Sequence, residues 1–431
     1  VQTNLSVPST NLPKNAQVAV IVGVQLNTEK DHLNDELDEL ESLLQTLSIR
    51  CVGRVVQRRH KLVSKSLLGS GKVEEIKQLA HEQGAAIVVF DRELTAMQAR
   101  NLEEMTGLQV FDRTGIILQI FSMHARSAQA KTQVEIARLE YQLPRLTGAW
   151  THFQRQAGGG VNMRGMGEKQ IEIDRRLARS RISRLQKELE QIRQEKKEQS
   201  KSRQGELKVA LVGYTNSGKT SLMNMLTKTQ FLAKDALFAT LDASVRVIDP
   251  RTRPKILLSD TVGFIRNLPH SLVESFKSTL DHVLDADLLL HVVDVSHPSY
   301  EAQIETTWDV LNSIGASKIP SLIVFNKADR VADPFLRKVL RRAYHQSTVV
   351  SAHNPNDALG LREHIYGFFE DTMIEARLKV DHTNQDALST IYQSCHIISS
   401  DYESSDDILF DVRGTKSTIS KLSPYVVEGS H

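Results

Sequence analysis

An α/β fold in several domains is what this sequence predicts, and three observations carry that prediction. Apolar runs of strand length alternate with stretches of helical periodicity through most of the chain, the pattern of parallel sheets flanked by helices. Lys208 to Val212 reads as a buried strand entering Gly213-Tyr214-Thr215-Asn216-Ser217-Gly218-Lys219-Thr220, and Ser221 to Leu226 as a helix leaving it. Strand, glycine loop and helix in that order form a phosphate-binding loop. Finally, 431 residues are too many for one ordinary core.

Composition narrows the class. With 40% hydrophobic and 25% charged residues the chain is an ordinary globular one. Its net charge is only +2, so any affinity for nucleic acid must come from a local patch. Cys51 and Cys395 give neither a disulfide framework nor a metal spacing, and a cytoplasmic location is the expectation. No apolar run approaches a membrane span, and Val1-Gln2-Thr3-Asn4-Leu5 lacks a signal-peptide layout, although no initiator Met is present. Nothing demands more than a monomer.

The first part, residues 1–127, reads as a small α/β domain. Val18 to Val22 is a β-rich run, and Leu33, Leu37, Leu40, Leu43 and Leu44 recur at helical spacing. Strands follow at Cys51 to Val56, Ala86 to Phe90 and Leu108 to Phe111, with helices at Val73 to Ala80 and Leu94 to Met105. Ligands of such sheets sit at the C-terminal strand ends. Asp91, Asp112, Arg113 and the basic run Arg58-Arg59-His60-Lys61 fall there. They are either ligand contacts or helix caps beside a solvated loop. Gly69-Ser70-Gly71-Lys72 resembles the tail of a phosphate loop without its first glycine, and reads as a helix-start turn.

Residues 128–205 read as a basic helical hairpin. Ala130, Val134, Ala137 and Tyr141 form one heptad seam, and Ala178, Ile182, Leu185, Leu189 and Ile192 another. Both are short, so an antiparallel pair packed on itself is the economical arrangement. Between them lies the glycine-rich stretch Gly158 to Gly167, near Arg145, Trp150, His152, Phe153, Arg155, Arg164 and Lys169. Residues 151–203 hold twice as many Lys and Arg as Asp and Glu. A glycine-rich, basic, aromatic tip suits irregular RNA, through Arg155, Gly159, Gly160, Arg164 and Lys169; a flexible linker beside a solvated helix fits the residues equally well.

Residues 206–370 carry the densest chemistry. In the phosphate loop, Lys219 is expected against the β- and γ-phosphates and the Thr220 hydroxyl on Mg²⁺. Phe238-Ala239-Thr240-Leu241-Asp242 places a switch threonine, Thr240, for Mg²⁺ and the γ-phosphate. Asp260-Thr261-Val262-Gly263 follows a strand, with Asp260 near the Mg²⁺ water shell and the Gly263 N–H sensing the γ-phosphate. Asn326-Lys327-Ala328-Asp329 then fixes the base, because the Asp329 carboxylate can accept from guanine N1–H and its 2-amino group, a pair that adenine lacks. Ser351-Ala352-His353 can offer a backbone N–H to guanine O6. Four such motifs in order define a central P-loop GTPase (G) domain that takes GTP or GDP with Mg²⁺.

Two details bear on mechanism. Phe264 stands where many regulatory GTPases have a water-orienting glutamine. Intrinsic hydrolysis should therefore be slow and wait on a partner, a cation or a remodelled switch. Asn216 either helps to hold a monovalent cation, K⁺, beside the phosphates or only stabilises the loop. The catalytic set is thus Lys219, Thr240, Gly263 and Asn216, and the segment Phe264 to His282 should be the second switch. Residues 371–431 read as a small α+β C-terminal domain, with strands at Arg377 to Val380 and Ile408 to Val412 and a helix from Asp386 to Ile391.

The order of these parts resembles the HflX family of translational GTPases over about residues 15–370. The resemblance rests on Gly213 to Thr220, Phe238 to Asp242 and Asp260 to Ile265, and on Gly69 to Glu75, Asp112 to Gly115, Gly159 to Glu168 and Gln170 to Arg176. Ser217 stands where Ala is commoner, and Met163 and Met166 where Leu and Pro are usual. The resemblance implies binding to ribosomal RNA of the large ribosomal subunit, with the N-terminal domain and hairpin loop near the peptidyl-transferase region. It also implies GTP-linked splitting or rescue of ribosomes under stress. Two alternatives stay open: a GTP-dependent switch that recruits a protein, and an ATP-driven RNA remodeller acting through the N-terminal domain.

Overall fold

The structure, a computed structural model, describes residues 18–28, 32–147, 163–200, 205–227, 237–238, 240, 244–266, 277–333, 335–402 and 407–427. The chain divides into two compact units. The first runs to Arg193 and takes in Leu237, Phe238 and Thr240; the second holds the rest from Gln194 onward.

In the first unit, β1 (Val18–Leu26), α1 (Leu33–Thr46), β2 (Arg50–Arg59), α2 (Ser70–Gln83), β3 (Ile87–Phe90), α3 (Ala96–Thr106) and β4 (Gln109–Asp112) alternate along the chain. The strands form an all-parallel sheet in the order β2-β1-β3-β4. Helix α1 forms because its five leucines share one stripe, and all five are buried. Each contributes about 1.5–3 kcal/mol by leaving water. Strand β2 runs on to Arg59, so Arg58 and Arg59 belong to sheet rather than to the expected loop. Gly69 is the N-cap of α2, as a helix-start turn requires.

Helix α4 (Arg113–His124), α5 (Ala128–Gln142) and α6 (Met163–Ser200) as far as Arg193 complete the unit. Helices α5 and α6 pack through Ile136 and Leu139 against Ile182, Leu185 and Leu189, so the hairpin does pack on itself. The α5 side of its seam differs from expectation, since Ile136 and Leu139, and none of Ala130, Val134, Ala137 or Tyr141, form the cluster with α6. Tyr141, predicted to face α6, donates its hydroxyl to Asp112 Oδ1 at 2.7 Å instead. Helix α5 is buried on more than one face, and a single heptad reading cannot show that. Met163 to Gly167, expected as loop, are the first residues of α6.

The second unit begins with β5 (Leu207–Gly213), α7 (Lys219–Thr227), β6 (Ser244–Val247), β7 (Ile256–Asp260), α8 (Lys277–Leu284) and β8 (Leu288–Asp294). It continues through α9 (Tyr300–Ser313), β9 (Ser321–Asn326), α10 (Leu336–Ala343), β10 (Ser347–Val349) and α11 (Pro355–Glu370). The six strands lie in the order β10-β9-β8-β5-β7-β6, parallel except for β6. Leu211, Leu222, Leu258, Leu290, Val324 and Ile365 are core residues between sheet and helices. Strand β5 is central, with β7 on one side and β8 on the other. The crevice above such a switch point is where open α/β sheets bind ligands.

After α11 come β11 (Ile374–Asp381), α12 (Gln385–Ser394), β12 (Cys395–Tyr402), β13 (Asp407–Gly414) and α13 (Lys416–Lys421). The strands pair antiparallel in the order β11-β13-β12, over a separate core with Leu378, Val380, Ile391, Phe410 and Val412. This is the expected α+β unit with one strand, β12, that sequence reasoning missed.

Candidate nucleotide site

The phosphate loop is built by backbone that side chains would obstruct. Gly213 and Gly218 have φ of +145° and +92°, a region closed to most side chains. A Cβ on Gly213 would collide with the Val292 carbonyl oxygen of β8, and one on Gly218 with the Asn326 amide. Asn216 at the tip is exposed with φ +59°, a left-handed conformation that Asn tolerates better than most residues.

Lys219 opens α7 and is buried. Its Nζ donates to the carbonyls of Gly213 (3.1 Å) and Tyr214 (2.8 Å), curling the loop around the ammonium. Burial pulls this ammonium down to about 8; Asp260 opposes the shift and Lys327 adds to it. An anion there would restore the charged form. Next to it, Thr220 Oγ1 donates to Asp260 Oδ2 at 2.7 Å. Two hard oxygen donors side by side are the chemistry a Mg²⁺ ion takes.

The strand-end loop Asp260 to Phe264 is stitched to the phosphate loop. The Phe264 N–H donates to Gly213 O (3.0 Å), and the Thr215 N–H donates to Phe264 O (2.7 Å). The Arg266 N–H donates to Tyr214 Oη (2.8 Å), and Thr261 Oγ1 to Leu211 O (2.6 Å). Val262 and Phe264 are buried. A Cβ on Gly263 would lie 2.8 Å from Thr215 Cα and 2.9 Å from Lys219 Nζ, so only glycine fits there.

The base side forms where β9 and β10 end. Asn326 donates through Nδ2 to Ser217 O (2.9 Å) and accepts at Oδ1 from the Ala352 N–H (3.1 Å), tying the base motif to the phosphate loop. Lys327, at φ +61°, pairs with Asp294 at 2.6 Å. Ser351 Oγ donates to Asp329 Oδ1 at 2.6 Å and itself accepts from the His353 N–H at 3.2 Å. The Ser351 bond holds the Asp329 carboxyl below its usual range, so it stays an acceptor. A cleft of about 380 Å³ opens here, lined by Ala328, Asp329, Ser351 and His353 together with Arg337 and Asp357.

Arg337 and Asp357 are the residues that sequence reasoning missed. The Ser351 N–H donates to Asp357 Oδ2 at 2.8 Å. Arg337 grips both oxygens of Asp357 at 3.1 Å and donates to Val349 O at 3.0 Å. Together they fix the Ser351 to His353 loop from behind. No motif signals them, because α10 and α11 meet only in the folded chain.

Leu237, Phe238 and Thr240 belong to the first unit, where the Phe238 ring meets Phe121 of α4 edge-on at 4.7 Å. Ala239, Leu241 and Asp242 are outside the described residues, as are Arg155, Gly159, Gly160 and much of the second switch. Arg164 and Lys169 fall in the first turns of α6.

Asp91, Asp112 and Arg113 form a structural cluster. Asp112 caps α4 through the Gly115 N–H (2.8 Å) and accepts from the Leu94 N–H (3.0 Å), Tyr141 Oη (2.7 Å) and Arg145 Nη2 (2.8 Å). Arg113 pairs with Asp91 at 3.0 Å and with Glu39. The helix-cap reading holds for Asp112.

A glycine phosphate loop on the central strand, a carboxylate base motif and an intervening Asp-x-x-Gly loop define the class: a P-loop GTPase. Comparison with known proteins agrees along the chain. Residues 34–122 match the family model described as GTP-binding GTPase N-terminal, 124–203 the GTP-binding GTPase middle region, and 208–327 the 50S ribosome-binding GTPase. The GTPase HflX of Gluconacetobacter diazotrophicus is 41% identical over 94% of this chain and 97% of its own. That of Escherichia coli is 42% identical over 73% and 74%. Among solved structures, SsGBP bound to GDP is 28% identical over 81% of this chain and 98% of its own, with a TM-score of 0.47.

The chain belongs to the HflX family of GTPases. It hydrolyses GTP. Among the described residues, no helix is long and apolar enough to cross a membrane.

Proposed function

We propose that this chain is a Mg²⁺-dependent GTPase whose nucleotide state gates binding to RNA of the large ribosomal subunit, and that turnover serves ribosome splitting or rescue under stress. The observation that carries the enzymatic half is the convergence of Lys219, Gly263 and the Thr220–Asp260 pair on one loop, with Asp329 and Ser351 beside the base cleft. The ribosomal half is supported by the family model matched at residues 208–327 and by the basic composition of the hairpin.

Lys219 and the loop amides would neutralise the phosphates, and Gly263 would read the γ-phosphate by its N–H. Thr220 and Asp260 would hold Mg²⁺, which supplies charge to the phosphate oxygens. Asn326 braces the loop, and Asp329 selects guanine. Phe264 is 2% exposed and its side chain carries no hydrogen-bonding group, so the ring cannot orient water. Intrinsic turnover should therefore be slow and should rise with a partner. Asn216, exposed at the loop tip, would add a K⁺ ion to the phosphate charge.

The test is co-sedimentation with purified large subunits in GTP and in GDP. Wild type should pellet in GTP, and replacing Arg155, Arg164 and Lys169 together by Glu should abolish it. Failure of wild type to pellet in either nucleotide would overturn the ribosomal reading and leave a protein-recruiting switch.

A further inference from the structure

The site described so far has no group that handles the attacking water, since Phe264 occupies the usual position. One candidate lies beside it, on the phosphate loop. Thr215, the third residue of the phosphate loop, is only 6% exposed. Its Oγ1 is buried and, among the described residues, has no hydrogen-bond partner. A hydroxyl left so costs about 1–3 kcal/mol unless a ligand satisfies it. Its backbone N–H is already engaged, on Phe264 O.

Its place in the loop points to the γ-phosphate end. A Cβ built on Gly263 would lie 2.8 Å from Thr215 Cα, 2.9 Å from Thr215 Cγ2 and 2.9 Å from Lys219 Nζ. Thr215 therefore shares one corner with the glycine and the lysine that face the terminal phosphate in the proposed mechanism. Ser217 also carries an unpartnered buried hydroxyl, but that one lies by Gly213, where the loop leaves β5.

We propose that Thr215 is a catalytic residue: its hydroxyl accepts a hydrogen bond from the attacking water and donates one to a γ-phosphate oxygen. The inference rests on the GTP-site reading above. Water oxygen bonds to the γ-phosphorus as the bond to the β–γ bridging oxygen breaks, and that electron pair leaves with GDP. The proton lost by water ends on the released phosphate, and Thr215 keeps its own. The hydroxyl orients; it does not act as a base, because its proton is not acidic near neutral pH.

Single-turnover GTP hydrolysis and GDP affinity, measured on wild type, Thr215→Val, Thr215→Ala and Thr215→Ser, test this. The valine and alanine variants should hydrolyse at least about tenfold more slowly with GDP affinity within about twofold of wild type; Thr215→Ser, which keeps the hydroxyl, should stay within about threefold. The alanine variant guards against a clash from the valine methyl. Hydrolysis near the wild-type rate in both variants would overturn the proposal. So would GDP affinity falling as far as the rate, which would make the hydroxyl a ground-state contact, or a serine variant as slow as alanine. If Lys219→Ala left wild-type hydrolysis intact, the GTP-site reading itself would fall, independently of Thr215.

Discussion

Two polar clusters sit at the C-terminal ends of two parallel sheets, and they differ in what their polar atoms do. At the end of β3 and β4, Asp112 accepts from four donors, Arg113 joins Asp91 and Glu39, and Arg145 lies over the Tyr141 ring at 3.6 Å. At the end of β5, among the described residues, the buried hydroxyls of Thr215 and Ser217 have no partner, and the Lys219 ammonium donates to backbone carbonyls. A largely closed network rigidifies a fold, even with Arg113 Nε outside it; several groups held ready around one loop mark a place for a ligand. Titratable residues at a strand end are therefore weak evidence of a site until their partners are counted.

The difference can be broken from either side. The largest effect should come from Asp112→Ala, which strands Arg145 and uncaps α4. We expect a loss of about 3–5 kcal/mol in denaturant unfolding, with GDP affinity of the folded protein unchanged. A loss below about 1 kcal/mol would mean that the cluster is not the scaffold described. Next, Asp357→Ala frees the Ser351 loop from Arg337 and should weaken GDP and GTP binding alike by roughly tenfold, leaving single-turnover hydrolysis at saturation near wild type. Unchanged affinity would reduce Asp357 to a first-turn acid of α11.

The smallest effect is that of pH on the Lys219 side. Burial lowers its folded value from 10.5 to about 8, while bound phosphate raises it again. Below that value the lysine is charged with or without ligand. Above it, binding must take up a proton, so affinity falls as pH rises. GDP should bind roughly fourfold more weakly at pH 8.5 than at pH 7. Calorimetry in two buffers of different ionisation enthalpy should show net proton uptake at pH 8.5; no uptake would contradict a charged lysine–phosphate contact.

How much of this was legible depends on how far apart in the chain the partners lie. The phosphate loop and the base motif are local, so their residues announce themselves. Arg337 and Asp357 do not, because they meet Ser351 only through tertiary packing. Helix α4 escaped detection since it is apolar all round: Ile116, Ile117, Leu118, Ile120 and Phe121 are all buried, and no periodicity shows. Strand β12 escaped because Ser399, Ser400 and Asp401 dilute it. The α5 seam was misread: Ile136 and Leu139 pack with α6, and the predicted Tyr141 turns to Asp112. Conversely, Asp91 and Arg113 looked like site residues only because burial and pairing cannot be read from sequence.

The most direct test of the central claim, that the nucleotide site is the one at the end of β5 and not the cluster at the end of β4, is nucleotide binding stoichiometry. GTP and ATP binding would be measured on intact wild type and on Lys219→Ala. We expect one GTP per chain in wild type and none of either nucleotide in the variant. ATP binding that survives Lys219→Ala would place a second nucleotide site in the first unit and contradict the account.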